Sequence, residues 1–237
     1  MITACMQSVR GWMIDVCFPG VFMMHVPAYP ASASVTTRSG DMLSLPLPRQ
    51  DSDFSIEHAL RERRSVREFG KSALTPEEIS QLLWAAQGIT SRDGLRTAPS
   101  AGALYPLELY LVVGMVRGLD PGVYRYAPAG HKLMKIIAGD QRHKLASAAH
   151  GQDCVADAAA VLVFTAVERR TTRKYGSRGV RYVHIETGHA SQNVFLQATA
   201  LDLGTVVVGA FGDDAVGKVL QLPEGEVPLY LMPLGRP

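Results

Sequence analysis

The sequence has no GxSxG elbow, no GxxxxGK[ST] phosphate loop and no GxGxxG following a strand pattern. The serine-hydrolase, P-loop and dinucleotide-fold readings therefore lack support. Cysteine is scarce: Cys5, Cys17 and Cys154 are the only three in 237 residues. They form no CxxC pair and no metal-ligand spacing, and such a scattered set fits a reducing, cytoplasmic compartment. Neither sign of charge dominates, with 24 Lys and Arg against 22 Asp and Glu. A net charge of +2 gives no reason to expect nucleic acid or an acidic membrane as partner. Residues 16–37 carry no Asp, Glu, Lys or Arg, but Pro19, Gly20, Pro27 and Pro30 would break a membrane helix there. Arg10 followed by an apolar run and Ala31-Ser32-Ala33 resembles a secretory signal, which Asp15 and Pro19 spoil.

What is present is a globular composition, 47% hydrophobic and 19% charged. We expect a poorly ordered N-terminal extension over residues 1–50, with Met42 as an alternative start, and one domain over residues 51–237. The domain is organised around TAPSAGALYPLELY, residues 97–110. Its first half is nearly bare of side chains, and its second half reads as a buried strand from Leu107 to Val113. Small residues there would let the backbone approach a flat ligand, with N–H groups and the Ser100 hydroxyl free to bond its polar edge. An ordinary tight loop fits the same residues.

Upstream, Asp53 or Ser55 caps a short helix bearing Ile56, Ala59 and Leu60 on one face. If residues 63–69 then extend, Arg63, Ser65 and Arg67 fall on one side, suited to a phosphate monoester or simply to a solvated basic turn. Thr75-Pro76-Glu77-Glu78 is a capping box that starts a core helix ended by Gly88. Residues 122–126 and 132–137 predict a hairpin, Asp140 a helix cap, and residues 158–167 a central strand. The run RTTRKYGSRGVRY, residues 169–181, reads as a polar loop leading to a long helix over Tyr182–Leu203. Residues 205–208 and 227–232 read as strands, with Asp213 capping the last helix. Strands and helices alternate without a βαβ rhythm, which indicates an α+β layer fold.

His184, Glu186 and His189 offer metal-ligand types, but histidines five apart stand about 140° apart on a helix of ~3.6 residues per turn. The pieces that do suit one ligand are the arginines Arg63, Arg67 and Arg236 with Ser65, the bare backbones at 98–104 and 209–210, and the titratable pair Lys174 and Tyr175. A planar redox cofactor with a phosphate, such as FMN, would use all of them.

The segments RRSVREF, LTPEEISQLLWAAQGIT, TAPSAGALYPLELY, KYGSRGVRYVHIETGHASQN, VVVGAFGDDAV and VPLYLMPLGRP occur in this order. From about Phe54 to Pro237 they resemble the nitroreductase superfamily of FMN enzymes, most of all the SagB-type dehydrogenases that include thiazole/oxazole-forming peptide oxidases. The resemblance implies a mostly antiparallel sheet flanked by helices, in an intertwined homodimer with FMN at the interface. It implies that Arg63, Ser65, Arg67 and Arg236 hold the phosphate. Pro99, Ser100, Ala101, Gly102 and Leu104 of the other subunit would line the ring and ribityl chain, and Gly209 and Ala210 the reactive edge. Lys174 and Tyr175 match a pair assigned to proton transfer in azoline-oxidising relatives. Ala210 stands where a second glycine is usual, Gly212 where an Asp is usual, and Val207 where a proline is frequent. The implied activity is hydride transfer through flavin, on a modified peptide or, with NAD(P)H as donor, on nitro, quinone or ene substrates. A flavin-binding protein without turnover is the alternative class.

Overall fold

A computed structural model describes residues 40–237. Cys5, Cys17 and the Ala31-Ser32-Ala33 run lie outside the described residues. The strands are β1 (Met42–Ser44), β2 (Leu107–Val113), β3 (Gly122–Ala127), β4 (Lys132–Ala138), β5 (Ala160–Ala166), β6 (Gly204–Thr205) and β7 (Val227–Gly235). The helices are α1 (Ile56–Glu62), α2 (Pro76–Gln87), α3 (Arg142–Ala148), α4 (Asp153–Asp157), α5 (Arg169–Tyr175), α6 (Arg178–Thr199) and α7 (Asp213–Leu220). All strands join one sheet in the order β1-β4-β3-β2-β5-β7-β6, and every named pair is antiparallel. The expected α+β fold with a mostly antiparallel sheet is therefore what the chain adopts.

Period-two alternation divides the core between the two faces of that sheet. Leu107, Leu109, Leu111 and Val113 of β2 pack with Leu162 and Phe164 of β5 against Ile79, Leu82 and Leu83 of α2 and Val183, Ala190 and Val194 of α6. The alternate residues Tyr110, Val112, Val161 and Val163 face Leu145 of α3, Val155 of α4 and Val216 and Leu220 of α7. Every residue of β5 is buried, as a strand covered on both faces requires. Helix α2 starts as expected: Thr75 Oγ1 accepts from the Glu78 N–H at 3.2 Å, and Glu78 Oε2 accepts from the Thr75 N–H at 2.8 Å. Ser55, not Asp53, caps α1. Among the described residues no helix is long and apolar enough to cross a membrane.

Several sequence expectations need correction. Residues 169–181 are not a loop: they hold α5 and the first turn of α6. Their polar sequence hides the helix because Thr171 is the only side chain of α5 to be buried. Helix α6 accordingly begins at Arg178 instead of Tyr182. It ends at Thr199, where a turn with Asp202 at φ +54° carries the chain away before Gly204. The strand expected over 205–208 is only Gly204–Thr205 plus an isolated bridge from Val208 to Leu231. Gln141 and Gly212 occupy the helix caps assigned to Asp140 and Asp213. Strand β1, drawn from the stretch read as extension, pairs Met42 with Met134 at the sheet edge.

Candidate functional site

After α1 the chain runs extended across one edge of the sheet. The Val66 N–H donates to the Thr205 carbonyl at 2.9 Å, and the Gly70 N–H to the Arg236 carbonyl at 2.8 Å. Val66 and Phe69 press so closely on Gly204 and Gly235 that a Cβ at those glycines would lie 2.7 and 2.8 Å from them. With these two side chains turned inward, Ser65 and Arg67 are exposed. Arg63 forms the C-cap of α1, its guanidinium 5.1 Å from the centroid of the Phe195 ring on α6. Arg236 is engaged elsewhere: its Nη2 lies 2.6 Å from Oε1 of Glu78, the same carboxylate that closes the capping box of α2.

Gly209 and Ala210 follow the bridge at Val208 and are exposed. The Gln152 side-chain amide donates to the Ala210 carbonyl at 3.0 Å. Next to it on α4, burial pushes the Cys154 thiol up, and Arg67 is near enough for its charge to oppose that rise. Arg67, α4 and Ala210 thus share one corner of the molecule.

The small-residue loop lies between α6 and β2. Ala101–Ala103 make a single 3-10 turn in which Gly102 has φ +65°, followed by Ala103 at +53° and Tyr105 at +46°. Left-handed conformation at residues with a Cβ costs free energy that the surroundings must offset. Here the offset comes from Ser100, whose hydroxyl is not free as expected. Its Oγ accepts from the Tyr105 N–H at 2.9 Å and donates to Glu186 Oε2 at 2.5 Å. Glu186 is 2% exposed and its Oε1 has no hydrogen-bond partner. Burial raises its carboxyl to about 7, against the opposing effects of the Ser100 bond and the Arg96 charge.

Lys174 and Tyr175 end α5, and they reach this loop at its barest point. A Cβ built on Gly102 would stand 2.8 Å from Tyr175 Oη and 3.1 Å from Lys174 Nζ. Tyr175 rests edge-on against Tyr182, with centroids 5.2 Å apart, while Arg170 holds the other end of α5 by donating to the Tyr105 carbonyl at 3.0 Å. The two side chains and the loop, read separately in the sequence, therefore meet within one chain. Glu186, a metal-ligand type by its chemistry, is the loop's buried anchor. The signal was its place in the α6 stripe of Val183, Glu186, Ala190 and Val194, where an acid among apolar neighbours needs a partner.

Residues 60–236 match the Nitroreductase family. A protein of Methanocaldococcus jannaschii named as a nitroreductase is 48% identical over 197 residues, which cover 83% of this chain and 98% of that one. The Microcin B17-processing protein McbC of Escherichia coli is 29% identical over 163 residues, 66% of this chain and 60% of McbC. A crystal structure from Anabaena variabilis, also named as a nitroreductase, superimposes with a TM-score of 0.74 at 32% identity. That match covers 87% of this chain and 45% of the other. A family match reaching from α1 to the penultimate residue, on the sheet and helices described above, makes this chain a member of the nitroreductase family.

Proposed function

We propose that the chain is an FMN-dependent oxidoreductase of the SagB-type dehydrogenase branch, acting as a homodimer on an azoline-bearing peptide. The observation that carries this reading is the contact of Lys174 and Tyr175 with Gly102. Two side chains able to move a proton stand against the bare turn of the loop that would line the ring.

Arg63, Ser65 and Arg67 would hold the phosphate, with Arg236 joining them by exchanging or sharing its Glu78 partner. Pro99, Ser100, Ala101, Gly102 and Leu104 from the second subunit would flank the ring and ribityl chain, and Gly209 and Ala210 its reactive edge. The fit rests on exposed Ser65 and Arg67, on the bare turn at Gly102 and on exposed backbone at 209–210. When bound, FMN supplies two-electron redox chemistry. Lys174 Nζ or Tyr175 Oη takes the proton released from substrate carbon, and Glu186 with Ser100 keeps the loop in its left-handed turn. Ile56 and Leu60 on α1 and Ile185 on α6 are 54%, 56% and 49% exposed. These are side chains that a second subunit would cover.

Similarity to a microcin-processing protein supports a peptide substrate. The more similar relative named as a nitroreductase favours a second reading, reduction of nitro, quinone or ene compounds with NAD(P)H as donor. The two readings separate in anaerobic single-turnover mixing of FMN-loaded protein. Flavin bleaching by an azoline peptide, with formation of the azole, supports the first. Bleaching by NADPH or NADH alone, with the peptide inert, supports the second.

A further inference from the structure

On the sheet face that carries Tyr110, the residues Met42, Met134 and Arg125 lie in a row across β1, β4 and β3. This row lines an open cavity of about 530 Å³ whose other walls include Arg96, Leu104, Tyr105 and Arg170. The one carboxylate in its lining, Glu108, pairs with Arg125 Nη2 at 3.0 Å and with Arg170 Nη2 at 2.6 Å. Arg96 adds a third guanidinium. It lies 4.4 Å from the Tyr105 ring centroid and donates from Nη1 to Gln87 at 2.6 Å, while its Nε is buried without a partner. Two acids outside the lining also act on these arginines, Glu186 on Arg96 and Glu226 on Arg125. Within the lining itself three guanidiniums face one carboxylate among apolar walls. Arg96, its Nε buried without a partner, loses hydration without a full ionic return, and an anion restores it.

We propose that this cavity binds a carboxylate carried on an apolar body. The guanidinium fork matches a planar carboxylate, and Leu104, Tyr105 and Met134 receive the apolar part. Leu104 belongs to both the cavity and the proposed ring loop, so the occupant is assigned as substrate. That assignment rests on the proposed function, whereas binding of the anion does not. The carboxylate comes either from a free acid or from the C-terminal residue of a peptide.

Isothermal titration of N-acetyl-phenylalanine and its amide into the full-length protein, with and without FMN, tests the site. The acid is expected to bind at least tenfold more tightly than the amide in both states. Arg96→Gln and Arg125→Gln should each weaken the acid at least tenfold and leave the amide unchanged; the second variant keeps the test open if the first does not fold. Equal affinity for acid and amide, or undiminished acid binding in a folded variant, overturns the proposal. A Phe-terminated hexapeptide that binds more tightly than the capped amino acid, and loses this on amidation, identifies a peptide C-terminus. Equal binding of the two acids identifies a free acid. Acid binding by protein that takes up no FMN leaves this site standing and removes the flavin reading. FMN uptake without acid binding does the reverse.

Discussion

The Ser100 hydroxyl donates to the buried carboxyl of Glu186 at 2.5 Å and in turn accepts the Tyr105 N–H. One side chain thus ties the left-handed loop to the middle of α6. Burial holds the Glu186 carboxyl at about 7, above its ordinary 4.5. The folded state therefore binds a proton that the unfolded state has released. Its stabilising effect is complete below the ordinary value and is lost as pH rises through about 7. Relative to Glu186→Gln, which keeps an acceptor for Ser100 and has no charge, the wild type should lose on the order of 2 kcal/mol of stability between about pH 5 and pH 8. Denaturant unfolding of both proteins across that range measures it. Parallel pH profiles would show that the carboxyl is not held in its neutral form.

Gly102 combines φ +65° with a Cβ direction aimed at Tyr175. Gly102→Ala should cost about 1–2 kcal/mol in thermal unfolding, from the left-handed backbone alone. It should also push Tyr175 from its contact with the loop. Unchanged stability, with an unchanged near-ultraviolet tyrosine signal, would mean that loop and pair do not touch.

The phosphate assignment separates its arginines by their present partners. Losing one charged contact to a phosphate should weaken FMN by roughly tenfold to a hundredfold. Arg67→Ala should do this with thermal stability close to wild type, since Arg67 is exposed. Arg63→Ala should lose FMN similarly, together with the cation–π contact on Phe195. Arg236→Ala should lose both FMN and stability, because Glu78 is left without its partner. Full FMN affinity in all three would remove the phosphate from this edge of the sheet.

Lys174→Ala and Tyr175→Phe should keep FMN and its reduction by any nicotinamide donor. Each should slow a substrate that must release a carbon-bound proton by about a hundredfold or more, the lower end for a positioned acid or base. Stopped-flow traces of the two half-reactions give both numbers. Wild-type rates on such a substrate would make the contact with Gly102 a packing feature only.

The sequence was legible where local chemistry and periodicity agree. Thr75 and Glu78 announced α2, and alternation in 107–113 and the apolar run at 160–166 marked the strands that became the sheet's centre. It was illegible where tertiary contacts decide. The helix α5 buries only Thr171 and is docked by Arg170 through Glu108 and the Tyr105 carbonyl, partners 62 and 65 residues away. Helix α6 stops at Thr199, ahead of a turn through left-handed Asp202, which no glycine or proline signals. Within the site, the residue types were readable from motif order, but the engagement of Ser100 with Glu186 and of Arg236 with Glu78 was not. Both are pairings across long sequence separations, 86 and 158 residues.

The most direct measurement is FMN uptake by the purified full-length chain, read as the visible flavin absorbance retained after gel filtration and combined with sedimentation. The expected result is a two-fold assembly with one FMN per chain, as required if residues 98–104 of each subunit complete the other subunit's site. A folded chain that stays colourless after incubation with FMN, or a monomer that holds FMN tightly, would contradict it.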